Sequence, residues 1–317
     1  MTRGFVTIAT GKDRYFKLAR NLLASYRLFA KGPDAAPFAI ICDRENDVTA
    51  CFDDVIVLDD AACSYMDKVR LPELSPYDET IFVDADCLAY RDLNDWWGLF
   101  ADATDFSCFG YVKPADAQDG WFRKEDVGEY SSRVDYCLEF QGGVYFMRKG
   151  EALDRFYETA KHVHEHYGEY RFRFFVNPAD ETIFSLAMVV NGMRPVENHR
   201  EALCWFPMVS SYHTDIEHGS LSYTDKAEVP QVRYENCYLI HFGTPATREP
   251  MYNREGYKAR RLSEGKALVD RNVRLVTALS FTSFAVSNAP QFILRPGHAF
   301  KMLALYIRRY VVIPERS

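Results

Sequence analysis

The stretch Ile81-Phe82-Val83-Asp84-Ala85-Asp86 joins a short apolar run to two carboxylates one residue apart. The apolar run is typical of a buried strand, and bare carboxylates beside a core are costly unless they are paired or bound to a metal. Two hard oxygen ligands at a strand end suit Mg²⁺ or Mn²⁺, which commonly bring a substrate phosphate with them. Asp is also common in the solvated turn that follows a strand. The stretch alone therefore leaves a metal site and a solvated turn as open alternatives.

Three further apolar runs precede this one, at residues 5–10, 38–43 and 55–59, and apolar residues at helical spacing separate the first two. Strands that are apolar throughout are typical of a mostly parallel sheet with helices on both faces. We therefore predict an α/β, Rossmann-like fold. Ligands of such sheets gather at the carboxyl ends of the strands. The side chains expected at that edge are Thr7, Thr10, Asp43, Asp84 and Asp86.

The sequence also argues against several classes of protein. No Gly-x-Gly-x-x-Gly follows the first strand and no Gly-x-x-x-x-Gly-Lys-Ser/Thr occurs, so a Rossmann dehydrogenase and a P-loop NTPase are not expected. The net charge of −7 argues against nucleic acid as a partner. Eight scattered cysteines, no basic-then-apolar leader and no apolar stretch of membrane-spanning length together predict a reduced, cytoplasmic protein.

Charge divides the chain unevenly. Residues 255–317 hold eleven Lys or Arg and four Asp or Glu, a net charge of about +7, so the remainder carries about −14. We predict a main domain at 1–254 and a basic, helical C-terminal extension at 255–317. A basic amphipathic helix can lie on the anionic inner face of a membrane, as a peripheral contact, or can pack with its basic face in solvent. Both interpretations stay open, and nothing in the sequence indicates an oligomeric state.

Two acidic residues, Asp180 and Glu181, follow strong helix-start signals. Asn177 is a typical N-cap and Pro178 suits the first helical position. Acids in the first turn complement the partial positive charge of a helix N-terminus, so the pair has a structural explanation beside a functional one.

Glycine and histidine mark two further candidate positions. Gly142 and Gly143 precede an apolar run, where paired glycines let the backbone approach a ligand or bend sharply. His241 ends the apolar run 237–242 and is followed by Gly243, a placement that suits a ligand, although a single histidine is often structural. The polar segment 113–135 between these features is either a substrate lid or a surface insertion.

The order of these pieces resembles the nucleotide-sugar glycosyltransferases of the GT-A fold, closest to glycosyltransferase family 8, which includes glycogenin and bacterial lipopolysaccharide galactosyltransferases. The resemblance covers roughly residues 4–252. It is carried, in chain order, by Thr7-x-x-Thr10 with Tyr15, Tyr77 with the Asp84-Ala85-Asp86 stretch, Phe140-Gln141-Gly142-Gly143-Val144, Asp180-Glu181, and Ile240-His241-Phe242-Gly243.

The resemblance implies a metal-dependent transfer of a sugar from a nucleotide donor, UDP-sugar above all, to a glycan or lipid-linked acceptor with retention of configuration. It implies Mn²⁺ or Mg²⁺ on Asp84, Asp86 and His241, where the cation would neutralise the leaving diphosphate. Lys68 or Arg70 would add positive charge. Asp43 would reach the base or ribose, and Asp180 and Glu181 would lie at the donor sugar. The remaining implied donor contacts are Thr7, Ala9, Thr10, Tyr15, Ala85, Gln141, Gly142, Gly143, Gly243 and Arg248.

Two positions depart from the family pattern. Glu181 stands where the family has Gln, and a carboxylate there could act as a nucleophile or stabilise an oxocarbenium-like centre. The family's His-x-x-Gly-x-x-Lys-Pro-Trp is replaced by His241-Phe242-Gly243 and a later Arg248, which could substitute for the Lys that meets the diphosphate.

Three alternatives remain. A phosphatase of the haloacid dehalogenase type also uses Asp-x-Asp at a strand end, but there the pair usually follows the first strand. A sugar nucleotidyltransferase would need a Gly-rich basic loop after the first strand, and Gly11-Lys12-Asp13 is sparse for that role. A non-catalytic nucleotide- or carbohydrate-binding protein of the same fold is the third.

Overall fold

The computed structural model describes residues 1–117, 120–197, 199–226 and 228–294. The strands within these ranges are β1 (Arg3–Ala9), β2 (Phe38–Cys42), β3 (Asp54–Val57), β4 (Glu79–Val83), β5 (Cys87–Ala89), β6 (Phe106–Pro114), β7 (Tyr136–Arg148), β8 (Leu203–Trp205), β9 (Val209–Asp215), β10 (Ser220–Asp225), β11 (Arg233–Tyr234) and β12 (Leu239–His241). The helices are α1 (Asp13–Phe29), α2 (Leu71–Leu74), α3 (Trp96–Leu99), α4 (Glu151–Glu165), α5 (Asp180–Val190), α6 (His199–Ala202), α7 (Gly243–Ala246), α8 (Pro250–Ser263) and α9 (Asp270–Leu294).

The central sheet has six strands in the order β3-β2-β1-β4-β7-β6. Strands β3, β2, β1 and β4 are parallel, whereas β7 runs antiparallel to both β4 and β6. The apolar runs of the first half of the chain thus form the predicted parallel sheet, and the α/β prediction is confirmed. Two three-stranded sheets, β5-β12-β8 and β11-β10-β9, lie outside it.

Both faces of the central sheet are buried, as strands without polar alternation require. One face packs with α1, α8, β5 and β12 in a core that includes Phe5, Ile81 and Tyr252. The other face packs with α4 and α5 in a second core that includes Val6 and Phe82. Neighbouring residues of one strand therefore point into different cores, and the strand ends are held rigidly on both sides.

The start of α5 differs from the prediction. Asn177 is not the N-cap: the helix begins at Asp180, and Ala179 precedes it with extended backbone (φ −133°, ψ 139°) and no side-chain cap. The segment 65–74 forms two short helices: a 3-10 helix, Tyr65–Arg70, ends where α2 begins, and Pro72 occupies the first turn of α2.

The segment 113–135 is packed against the body of the protein in its described part. Phe122, Val127 and Val134 are fully buried in the second core, and 3-10 helices cover Lys124–Asp126 and Gly128–Arg133.

The proposed domain boundary between residues 254 and 255 falls inside α8. Tyr252 and Ala259, on either side of it, are buried in the same core. The part of the predicted basic extension beyond residue 294 lies outside the described residues. Within the described residues, every helix is too short or too polar to span a lipid bilayer.

Candidate active site

Asp84 and Asp86 lie in the tight connection between β4 and β5. The backbone N–H of Asp84 donates to the carbonyl of Gly143 on β7 at 2.9 Å, and the N–H of Cys87 donates back to the carbonyl of Asp84 at 3.1 Å. These bonds hold the backbone of the pair in place, so the two carboxylates occupy defined positions at the carboxyl edge of the parallel strands.

His241 reaches the same point from a distant part of the chain. β12 pairs antiparallel with β5 so that His241 lies opposite Cys87, the residue after Asp86. Its Nε2 atom is 3.2 Å from Oδ1 of Asp86 and 3.5 Å from Oδ2 of Asp84. A Cβ on Gly143 would lie 2.5 Å from Nδ1 of His241, so only glycine leaves room for the ring. The structure thus brings together the three residues that the sequence predicts as metal ligands.

The protonation of these three groups reflects burial and mutual charge. Burial raises the pKa of Asp84 to about 6, and Asp86 adds to the rise while Lys68 and His241 oppose it. Burial also acts to raise the pKa of Asp86, but His241 outweighs it and leaves that pKa below its ordinary value. Burial acts to lower the pKa of His241, yet Asp86 and then Asp84 raise it overall. The two carboxylates therefore stabilise a positive charge placed between or beside them.

This donor set fits a hard divalent cation. Two carboxylates and one imidazole converge from separate elements, and oxygen ligands with a single nitrogen suit Mn²⁺ or Mg²⁺. The thiol of Cys87 also lies within 4.8 Å of the ligand atoms of Asp86 and His241. Burial raises the pKa of that thiol well above its ordinary value, so Cys87 stays protonated and is a poor ligand.

Lys68 lies beside the cluster and bridges two acids. Its Nζ donates to Oδ2 of Asp84 at 2.8 Å, to Oδ2 of Asp180 at 3.0 Å and to the carbonyl of Gly142 at 3.3 Å. Burial acts to lower the pKa of Lys68, but Asp180 and Asp84 raise it above its ordinary value. Lys68 is therefore a permanent cation, and it links the Asp84 cluster to the start of α5.

Asp180 and Glu181 surround Gly142 from α5. The hydroxyl of Tyr145 donates to Oδ2 of Asp180 at 2.8 Å. A Cβ on Gly142 would lie 2.6 Å from that oxygen, 2.8 Å from the Tyr145 hydroxyl and 3.0 Å from Oε1 of Glu181. The lack of a Cβ at Gly142 therefore leaves room for the two carboxyl groups and the Tyr145 hydroxyl beside it.

An open cleft of about 240 Å³ lies above these groups. Its lining contains eight of the residues predicted from the sequence, namely Thr10, Tyr15, Lys68, Asp84, Ala85, Asp86, His241 and Gly243. Residues of α1 and of the segment after β12 complete the lining, so a ligand bound in the cleft could contact both the carboxylates and Tyr15.

The other predicted residues are absent from the lining of this cleft, including Gly142, Gly143 and the two acids Asp180 and Glu181. Ala9 is buried in the core, as is Thr7, whose hydroxyl lacks a hydrogen-bond partner. Asp43 is paired with Arg44 at 2.8 Å. The side-chain carbonyl of Gln141 is buried without a partner. Arg248 lines a separate groove, between α8 and α9, with Asn253 and Ser280.

Several contacts of the site carry no recognisable sequence signal. Trp205 packs its ring 4.6 Å from the ring of His241, and Asp67 accepts a hydrogen bond of 2.9 Å from Thr10. Arg14 donates to the Thr244 carbonyl and so ties α1 to the turn after β12. Cys63 also lines the cleft. Each of these contacts joins parts of the chain that are distant in sequence and meet only in the folded protein. The only local hint is that Asp67 and Lys68 are neighbours on one short 3-10 helix.

Comparison with known proteins returns glycosyltransferases among solved structures. The bifunctional glycosyltransferase WbbM in its apo form has 13% identity and a TM-score of 0.43 over 65% of this chain, which spans 40% of that protein. An active-site mutant of LgtC has 14% identity and a TM-score of 0.48, covering 84% of this chain and 97% of that one. The galactosyltransferase LgtC with donor and acceptor sugar analogs has 12% identity and a TM-score of 0.46, covering 86% and 99%. No family model and no curated protein matches the sequence.

Proposed function

We propose that this protein is a metal-dependent glycosyltransferase that takes its sugar from a nucleotide donor, with UDP-sugar as the first candidate. The observation that supports the proposal most is the position of His241, whose Nε2 atom lies 3.2 Å from Asp86 and 3.5 Å from Asp84 in the lining of a cleft. A nucleoside diphosphate leaves well only when its negative charge is neutralised, and a divalent cation held by these residues would supply that neutralisation.

The other residues of the site have roles that follow from their positions. Lys68 brings a permanent positive charge to the border between the diphosphate and the sugar. Thr10 and Tyr15 also line the cleft, and we assign the nucleoside to them. Asp180, which accepts a hydrogen bond from the cleft residue Lys68, and its neighbour Glu181 would accept hydrogen bonds from, or donate them to, sugar hydroxyls. Transfer with retention of configuration belongs to the same proposal.

We further propose a glycan or glycolipid acceptor and a cytoplasmic protein that meets its acceptor at a membrane. The support is the net charge of about +7 in residues 255–317. Basic residues at that density favour the anionic surface of a bilayer. Sedimentation of the full chain with anionic vesicles, compared with neutral vesicles, tests this part alone.

Thermal stabilisation by UDP and Mn²⁺ tests the central proposal without knowledge of the acceptor. We expect the melting temperature to rise only when both are present, because the cation would neutralise the diphosphate that the site binds. A ligand at about 100 times its Kd adds about 2.7 kcal/mol to the free energy of unfolding. EDTA should abolish the rise, and ADP or GDP should give less of it. A screen of UDP-sugars for Mn²⁺-dependent hydrolysis then identifies the donor.

The same experiment separates the alternatives. A phosphatase should respond to phosphate or phosphate analogues and show no preference for UDP. A non-catalytic relative should bind UDP with Mn²⁺ and hydrolyse no sugar nucleotide. Absence of any nucleotide-specific shift would overturn the glycosyltransferase proposal.

A further inference from the structure

Two consecutive acids, Asp180 and Glu181, share one cation. Lys68 donates to Oδ2 of Asp180 at 3.0 Å, but its other side-chain hydrogen bond goes to Asp84. The side chain of Asp180 is 5% exposed, so water does little to screen the two neighbouring charges. Two carboxylates in such a setting cannot both ionise readily, and one of them keeps a proton.

Tyr145 holds one of the two acids in place. Its ring is fully buried among Phe82, Phe106 and Phe184, and its hydroxyl donates to Oδ2 of Asp180 at 2.8 Å. Burial raises the pKa of this phenol well above its ordinary value, so it remains a donor and needs an acceptor. The same Asp180 oxygen also accepts from Lys68, so two donors converge on it and hold the Asp180 side chain beside Glu181.

We propose that Asp180 and Glu181 hold a single proton between them, carried by Glu181 as a neutral carboxylic acid, and that Tyr145 is the positioning residue that maintains this arrangement. The inference deepens the proposed function and depends on it only for the identity of the ligand. A neutral acid presents one hydrogen-bond donor and one carbonyl acceptor, as an amide does. Glu181 can therefore stand where the resembled family has Gln without becoming a nucleophile, and no covalent bond to the sugar forms at this residue.

The groups that face Glu181 support this assignment. They are Asp180 on the same helix, Lys68 on the 3-10 helix Tyr65–Arg70, and Tyr145 on β7, with Asp84 beyond Lys68. Burial and then the charge of Asp180 raise the pKa of Glu181 to about 8, against the opposing effects of Lys68 and a backbone N–H.

The dependence of stability on pH tests the shared proton without any substrate. The unfolded chain releases the Glu181 proton near pH 4.5 and the folded protein holds it until about pH 8. Unfolding therefore releases a proton in that window, and raising the pH favours the unfolded state. We expect the melting temperature of the wild type, relative to Glu181→Gln, to fall steadily from about pH 5 to about pH 8.

Glu151→Gln is the matched control, because Glu151 is in the first turn of α4 but its side chain is 95% exposed. Its melting-temperature difference from the wild type should stay flat with pH. A flat or rising difference for Glu181→Gln would overturn the proposal. This holds whether or not the protein processes UDP-sugars, so the two proposals fail separately.

Tyr145→Phe tests the positioning role, because it removes the hydroxyl and keeps the ring. Loss of that donor destabilises the doubly ionised pair, so the window in which stability falls should extend to higher pH. If Tyr145 serves packing alone, Tyr145→Phe leaves the window where it is in the wild type, and the positioning role is lost.

Turnover and mass spectrometry test the chemical consequence. With a UDP-sugar that the protein hydrolyses, Glu181→Gln should turn over at least about tenfold faster than Glu181→Ala, because the amide keeps a donor and an acceptor. Quenched reactions should contain unmodified protein at residue 181. A sugar covalently attached to Glu181, or a Gln variant as slow as the Ala variant, would overturn the neutral-acid role.

Discussion

Two groups of buried side chains contact or lie near Lys68, and they contain similar acids but suit different ligands. On the His241 side (Asp84, Asp86 and His241) the acids face an imidazole, and contacts of 3.2 and 3.5 Å favour charge separation. On the Glu181 side (Asp180, Glu181 and Tyr145) the acids face each other and a phenol, and Lys68 is the cation they share with Asp84. The first arrangement suits a metal ion, whereas the second suits a proton.

This contrast shows that the partner, rather than the carboxyl group itself, decides what a buried acid can do. Burial raises the pKa of Asp84 to about 6 and that of Glu181 to about 8. The rise is smaller where Lys68 donates directly and His241 adds positive charge. Lys68 lies between the two sides, and variants can separate them.

Removal of Lys68 should give the largest effect, because it affects both sides. Lys68→Met leaves Asp84 and Asp180 buried without their shared cation, and breaking a buried pair in this way costs about 3–5 kcal/mol. We expect that loss in the free energy of unfolding, measured by urea denaturation at neutral pH. Mn²⁺ with UDP should recover more stability in this variant than in the wild type, since a bound cation would compensate on the His241 side.

Arg70→Met is the control for that measurement. Arg70 follows two residues later on the same 3-10 helix, but it pairs with Asp60, whose side chain is 75% exposed. An exposed pair contributes about 0–1 kcal/mol. Equal losses for the two variants would mean that the contrast between buried and exposed pairs does not hold here.

A change confined to the His241 side should rank second. Asp86→Asn removes a charged ligand and keeps the side-chain volume, so we expect Mn²⁺-dependent UDP binding to weaken at least about 100-fold, or about 2.7 kcal/mol. Isothermal titration with and without Mn²⁺ measures it. Glu217→Gln is the matched control, because Glu217 belongs to the more exposed group Asp215, Glu217 and His218, whose ligand atoms lie within 4.8 Å of one another. If both variants bind UDP alike, the metal site is misplaced.

The residues of the His241 side could be predicted from the sequence, whereas those of the Glu181 side could be predicted only in part. Asp84 and Asp86 follow a strand of the parallel sheet, where ligands gather at the carboxyl edge. His241 ends an apolar run too, but its strand belongs to a separate sheet and reaches the pair by antiparallel pairing with β5. The start of α5 was missed because Asn177 and Pro178 satisfy local helix-start rules, whereas Ala179 stays extended where Asp180 meets Lys68. The contact of Tyr145 with Asp180 spans 35 residues, and a tyrosine in an apolar strand is ordinarily a core residue.

The adjacent glycines of β7 offer the finest separation of the two sides, with the smallest expected effect. A Cβ at Gly143 would press on Nδ1 of His241 and one at Gly142 on Oδ2 of Asp180 and on the Tyr145 hydroxyl. Gly143→Ala should therefore weaken Mn²⁺-dependent UDP binding about tenfold, or about 1.4 kcal/mol, because the imidazole must move. Gly142→Ala should leave that binding closer to the wild-type value and lower UDP-sugar turnover by a similar factor. Gly168→Ala, with open space around its Cβ position, controls for the substitution itself. If both β7 variants affect binding and turnover alike, the two sides of Lys68 act as one unit.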